Sequence, residues 1–197
     1  MYPNSLKNLI ESFKFLPSVG EKTAERFAFS IFDLDDEQID LFKESLDEVR
    51  NKIHPCSRCN VLTEDELCSI CSDTGRNSKV LCIVEDVKSV FLFEKIGLFK
   101  GYYHVLNGLI SPLDGINPED IGIDKLLDRI QKEKFDEIIF AFKPSIEGET
   151  TALYIKKILD GYHLKITKIA NGVPIGADME YVDSLTLERA LSDRKEL

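Results

Sequence analysis

The chain has 197 residues, 43% of them hydrophobic, and a formal net charge of −10. That content suffices for one moderate domain or two small ones, no apolar run reaches the roughly 18–20 residues that span a bilayer, and the acidity argues against a broad basic face for nucleic acid. The opening stretch MYPNSLKNLIESF lacks a basic segment followed by an apolar core, so it does not read as a secretory leader. A cytoplasmic protein with reduced thiols and no membrane partner is expected.

Residues 1–53 read as helical. Leu6, Leu9, Ile10 and Phe13 recur at helical spacing, PSVG interrupts them, and Ala24, Phe27, Ala28 and Ile31 line a second helix. A third stripe carries Ile39, Phe42, Leu46, Val49 and Ile53, with Asp35 or Asp36 as its N-cap. Between the first two helices lies LPSVGEKTAER. A tight turn containing Gly20 there precedes a helix start, whose unpaired backbone N–H groups attract anions. Lys22 and Arg26 are four apart, so they share the face opposite the apolar stripe and are the candidate phosphate contacts. The same residues also suit a plain capping box, Ser18-x-x-Glu21, with both cations simply solvated; Glu21 and Glu25 weaken the basic field.

Residues 54–73, HPCSRCNVLTEDELCSICSD, hold four of the five cysteines as two Cys-x-x-Cys pairs, Cys56 with Cys59 and Cys68 with Cys71. Two such knuckles aim four sulfurs at one point and close a tetrahedral zinc site with no open position, hence a structural one. The segment has few large apolar residues, so metal rather than burial is expected to fold it. A redox-active dithiol is the competing reading. Cys82 lies in the apolar run KVLCIVE and reads as a buried small side chain.

Beyond residue 77 the pattern changes. KVLCIVE, YYHVLN, EIIFAF and LKITKIA are short apolar runs, separated by the helical patterns VKSVFLFEKIG, IDKLLDRIQKEK and TTALYIKKILDG. Strands alternating with helices imply a covered parallel sheet. Loops at the carboxyl ends of such strands build ligand sites. Glu85 and Asp86 end the first strand, while Glu147 and Glu149 follow the third. If those strands are neighbours, the four carboxylates approach one another, and such a cluster beside phosphate suits Mg²⁺. A solvated acidic loop is the plainer alternative. His54, His104 and His163 are scattered and form no set with a nucleophile. The tail YVDSLTLERALSDRKEL ends in a short amphipathic helix.

Taken in order, LPSVGEKTAERFAF, CSRCNVLTEDELCSIC, YHVLNGLISPLDGI, IEGETTALYI and NGVPIGADMEYVDSLTLERAL resemble the bacterial RecR family of recombination mediators over nearly the whole chain. The resemblance implies a multi-module α+β and α/β fold. Its parts would be a helix-hairpin-helix domain (1–53), a four-cysteine zinc finger (54–76), a Toprim-type parallel-sheet domain (77–172) and a C-terminal tail with its helix (173–197). It implies DNA as a partner at single-strand gaps and double-strand/single-strand junctions. It further implies action with RecO, and often RecF, to load RecA onto DNA coated by single-strand-binding protein. A ring-like homotetramer, assembled through hairpin and C-terminal regions in the nucleoid, and one structural Zn²⁺ per chain belong to the same expectation. By position, Gly20, Lys22 and Arg26 match the DNA-binding hairpin, and Cys56, Cys59, Cys68 and Cys71 match the zinc ligands. Glu85, Glu147 and Glu149, with Asp86 beside them, match an acidic site that is either vestigial or partner-binding.

Two departures stand out. Ser18 replaces the first glycine of the hairpin's Gly-hydrophobic-Gly, where a positive φ disfavours a side chain. Catalytic Toprim domains carry an Asp-x-Asp before the loop glycine; aligned on Gly148, those positions are Lys143 and Ser145. An ammonium group in place of a metal carboxylate reverses the local charge, so binding without catalysis is expected. The alternatives are a Mg²⁺-dependent Toprim nuclease or primase-like enzyme at Glu85, Glu147 and Glu149, and a zinc-stabilised interaction module that never touches nucleic acid.

Overall fold

The computed structural model describes residues 2–170, 172–174 and 176–194. Asn171, Ile175 and the last three residues of the expected tail lie outside that set. The chain divides into two compact units, Met1–Ile53 and His54–Leu197. Among the described residues no helix is long and apolar enough to cross a membrane.

The first unit holds three helices, α1 (Asn4–Phe13), α2 (Glu21–Ser30) and α3 (Asp36–Lys52). Leu6 and Ile10 of α1 meet Ala24 and Ala28 of α2, with Leu9, Phe13 and Val19 packed around them. The two alanines leave room for the helices to approach closely. Asp35, one of the two residues foreseen as a cap, starts α3 with a complete capping box: its side chain accepts from Gln38 N–H, and the Gln38 side chain accepts from Asp35 N–H. The stripe expected on α3 is amphipathic but uncovered. Phe42, Leu46 and Val49 are 45–59% exposed, and no residue of α3 is buried.

The second unit begins with the cysteine module. Two short antiparallel strands, β1 (His54–Pro55) and β2 (Leu62–Thr63), precede the single-turn α4 (Ser69–Ser72). A four-stranded parallel sheet follows, built from β3 (Val80–Val84), β4 (Tyr102–Val105), β5 (Glu137–Ala141) and β6 (Lys165–Lys168) in the order β4-β3-β5-β6. β3 and β4 are buried nearly throughout, which is why both read as unbroken apolar runs. Helices α5 (Val87–Ile96), α6 (Ile123–Glu133) and α7 (Ile146–Ile158) make the crossovers, and α8 (Ser184–Ser192) closes the described chain. From β3 the chain steps outward to β4; from β5 it steps the other way to β6. The carboxyl ends of β3 and β5, paired in register from Val80↔Glu137 to Val84↔Ala141, therefore flank the topological switch point, where open α/β sheets form their crevice.

Candidate nucleic-acid interface, zinc centre and acidic groove

The hairpin between α1 and α2 places its strain where the sequence departs from glycine. Ser18 sits at φ 65°, while Gly20 is extended at φ −87°, ψ 175°. Gly20, not Ser18, is the N-cap of α2, and no side chain caps that helix. The capping box Ser18-x-x-Glu21 therefore does not form. Glu21 instead pairs with Lys14 at 2.9 Å, and this bond, with a second from Glu11, raises the lysine's pKa. The first-turn amides of α2 are thus left without a side-chain acceptor, and the nearest carboxylate is neutralised. Lys22 and Arg26 are placed on the face away from buried Ala24 and Ala28. The Arg26 guanidinium lies 5.6 Å from the Phe27 ring centre, which restricts it to the surface beside that ring.

The four cysteines converge. Cys56, Cys59, Cys68 and Cys71 are buried, and their sulfurs all lie within 4.8 Å of one another. Cys59 Sγ and Cys68 Sγ approach to 3.5 Å, and the Cys68 N–H donates to Cys56 Sγ at 3.3 Å. Sulfurs each about 2.3 Å from a shared tetrahedral ion would stand about 3.8 Å apart, so the donor set fits zinc. Hydrogen bonds from Cys59 and Cys71 hold the Cys68 thiol well below its ordinary pKa, and the same Cys68 contact pushes Cys59 up. Four crowded thiols cannot ionise independently; a divalent cation is what permits all of them to be thiolates. The four cysteines thus form a site for one structural zinc ion.

Contrary to what its scarcity of large apolar residues predicts, this module is held by packing as well as by its metal site. Val61 and Ile70 are buried and join the same apolar cluster as the sheet. Cys59 C=O accepts from Val105 N–H at 2.9 Å, and Asn60 Nδ2 donates to Val105 C=O at 2.8 Å, so the knuckle seals the outer edge of β4. Asn60 follows the first cysteine pair at φ 64°, a conformation asparagine tolerates better than most residues. Arg58, between the two ligands of that pair, donates from Nε and Nη2 to Glu133 at 2.8 Å each and from Nη1 to Cys71 C=O at 3.1 Å. Its guanidinium also lies 4.6 Å from the Tyr102 ring centre. Burial alone would raise Glu133; Arg58 and Arg129 outweigh it and keep that carboxyl below its usual range. Sequence reasoning missed Arg58, Asn60 and Glu133; an arginine between two metal ligands was the available signal.

At the switch point the condition set for the acidic residues is met, since β3 and β5 are neighbours, but the four carboxylates do not gather. Glu85, Asp86 and Glu147 line one groove with Asn107, Ser111 and Lys143. Glu85 accepts from the Lys143 N–H at 3.0 Å, and Asp86 caps α5 through Ser89 N–H at 2.8 Å. The Ser145 hydroxyl, the residue's own N–H and Lys143 lower Glu147. Ser145 also caps α7, accepting from Gly148 N–H at 3.1 Å. Gly148 is fixed by close approach: a Cβ there would stand 2.3 Å from the Lys143 carbonyl. Glu149 is turned out of the groove and pairs with Lys168 at 3.1 Å and Arg189 at 3.4 Å. Among the described residues the cysteine quartet is the one group of ligating side chains close enough to hold a metal ion. Cys82 is buried in β3, as expected. Burial, then Arg129 and Lys125, pushes His104 down to about 3, so it is neutral.

Comparison with known proteins accords with these modules. Residues 6–50 match the family model of the RecR helix-hairpin-helix, 53–73 that of the RecR four-cysteine zinc finger domain, 79–170 that of the Toprim domain and 172–195 that of the RecR C-terminal segment. "Recombination protein RecR" of Natranaerobius thermophilus is 43% identical over 196 residues, covering 100% of this chain and 98% of the relative. The protein of the same name from Staphylococcus haemolyticus is also 43% identical, with 100% and 99% covered. That of Staphylococcus aureus is 42% identical over the same share of each chain. With hairpin, sulfur site, sheet domain and C-terminal segment each matched in that order, and relatives of that name similar over the full length, the chain belongs to the RecR family of recombination proteins.

Proposed function

We propose that this chain is a non-catalytic DNA-binding mediator of recombinational repair. It grips single-strand gaps and double-strand/single-strand junctions and works with RecO, and RecF where present, to promote RecA loading. The observation that carries this reading is the uncapped start of α2 beside Lys22 and Arg26, with Gly20 leaving open space around the backbone. Free amides plus two cations recognise phosphate without reading sequence. The acidic remainder of the chain limits non-specific attachment, so affinity comes from repeating the hairpin around a ring-like homotetramer. The uncovered stripe of α3, Phe42, Leu46 and Val49, supports assembly with further copies.

Catalysis is disfavoured by charge. Lys143 stands where the Toprim enzymes place a metal carboxylate, and Glu149 is engaged elsewhere by two cations. The groove of Glu85, Asp86 and Glu147 is better suited to a basic partner, for which RecO is the candidate.

Junction-DNA affinity measured across a salt series tests the hairpin. Lys22→Ala with Arg26→Ala should weaken binding at least about tenfold and flatten the log–log salt slope by about one per lost phosphate contact. Unchanged affinity and slope would overturn the assignment. Charge reversal at Glu85 and Glu147 should abolish RecO capture; undiminished capture would remove the groove from the interface.

A further inference from the structure

The aromatic rings of the first unit differ in what they touch. Tyr2 and Phe32 both lie against Phe29, with ring centres 5.7 Å and 6.3 Å away, and Phe13 meets Phe27 at 5.6 Å. Phe15 is 84% exposed and, among the described residues, meets no other ring. Leu16 beside it is exposed as well. Their backbone is nonetheless fixed. The Phe15 N–H donates to Ser12 C=O, the Leu16 N–H to Phe13 C=O and the Val19 N–H to Leu16 C=O, each at 3.2 Å. The Lys14–Glu21 ion pair at 2.9 Å ties the residue before Phe15 to the first residue of α2. Val19, between them in sequence, packs on the core of Leu6, Ile10, Ala24 and Ala28. Phe15 thus presents its ring to solvent from the same braced hairpin that carries the uncapped start of α2 and Lys22.

We propose that Phe15 stacks on an unpaired base beside the phosphate held at the start of α2, and that this contact makes the hairpin prefer single-strand gaps and junctions to continuous duplex. The proposal rests on the DNA reading of the hairpin given above. Amides and cations recognise phosphate. Phosphates line duplex and single strand alike, so that grip by itself cannot tell a gap from a duplex. A paired base is stacked between its neighbours and hides its faces, whereas an unpaired base at a gap exposes them. An aromatic ring offers a stacking surface that every base can use, so the contact senses whether a strand is paired and not its sequence. The ring carries no charge, so its contribution stands apart from the salt-dependent phosphate contacts.

The test titrates the full-length, zinc-loaded chain against gapped-junction DNA and against continuous duplex of equal length, at several salt concentrations. Phe15→Ala should weaken junction binding about five- to tenfold, while duplex binding and the log–log salt slope stay unchanged. Phe15→Tyr keeps a stacking face and should bind the junction as wild type does; Phe15→Leu, apolar without a ring, should behave as Phe15→Ala. Equal weakening on both DNAs, no weakening on either, or rescue by leucine would overturn the stacking. Light scattering should give wild type and Phe15→Ala the same mass. A lower mass for the variant would assign the ring to a contact between copies and overturn the proposal. The DNA reading fails separately: if Lys22→Ala with Arg26→Ala leaves junction affinity and slope unchanged, that reading falls and the stacking with it. Lost affinity in that double variant, with Phe15→Ala binding as wild type, rejects the stacking alone.

Discussion

The cysteine module and the last helix are attached to the parallel-sheet domain by different physics. At the β4 edge the cysteine module supplies backbone hydrogen bonds to Val105, buried Val61 and Ile70, and the Arg58–Glu133 bridge. Past the carboxyl end of β6, among the described residues, α8 is attached through Arg189 to Glu149 of α7 and buries no described side chain. Burial and backbone pairing make a lock, because breaking them strands polar groups away from water. An ion pair in partial contact with solvent makes a tether, because water replaces either partner at little cost. The contrast sets a buried, hydrogen-bonded attachment against a solvent-screened one.

Removing the metal should disturb the locked edge most. Cys68→Ser, or exhaustive chelation, removes a contribution that in small zinc modules reaches about 10–16 kcal/mol. Part of it is recovered here by the module's packing on the sheet. We expect a loss of about 5 kcal/mol, which for a chain of this size lowers the melting midpoint by roughly 10–20 °C. Calorimetry of the zinc-loaded and chelated protein checks this. A midpoint that stays put would mean that packing alone holds the β4 edge.

Arg58→Ala should come next, at about 2–3 kcal/mol, since it leaves Glu133 with Arg129 as its one remaining cationic partner and removes the contact with Tyr102. The sign of its pH dependence follows from Glu133, whose folded pKa is depressed. Such a carboxylate contributes stability above its unfolded pKa and loses it as pH falls through the folded value. Wild type and Arg58→Ala should therefore differ most near neutrality and converge in acid. Denaturant titrations at several pH values, read as the difference between the two proteins, would reveal a gap that instead widens in acid.

The smallest effect comes from the first unit, where a single backbone angle is at stake. Ser18 holds φ 65° with a side chain attached. Ser18→Gly relieves that strain, less the entropy a glycine adds to the unfolded chain, and should stabilise the hairpin unit by about 0.5–1 kcal/mol. Local hydrogen exchange in α1 and α2 reads it; a destabilised hairpin would show that Ser18 contributes something beyond its backbone angle.

Much of this architecture is legible from local pattern. The strands stand out as apolar runs because both sheet faces are covered, and the two Cys-x-x-Cys pairs announce their site because ligand spacing is a local property. The departure at Ser18 marks the strained residue directly. What local pattern hides is anything set by distant partners. Arg58 and Glu133 lie 75 residues apart and meet only once the module docks. The grouping of Glu147 with Glu149 fails for a reason the helix period contains: residues two apart in an α-helix point in widely different directions. One carboxylate therefore enters the groove and the other meets Lys168 and Arg189. The stripe of α3 is readable as amphipathic, while its exposure is not, because periodicity does not say whether an apolar face finds a partner.

The proposed function is that of a zinc-held scaffold that grips nucleic acid without altering it. The most direct measurement incubates the zinc-loaded chain with end-labelled junction DNA, with and without Mg²⁺, then resolves bound complexes on native gels and strand lengths on denaturing gels. A shifted complex that dissolves with added salt is expected, with strands of unchanged length in every lane. Mg²⁺-dependent cleavage or extension of a strand, or no shifted complex at any salt, would contradict it.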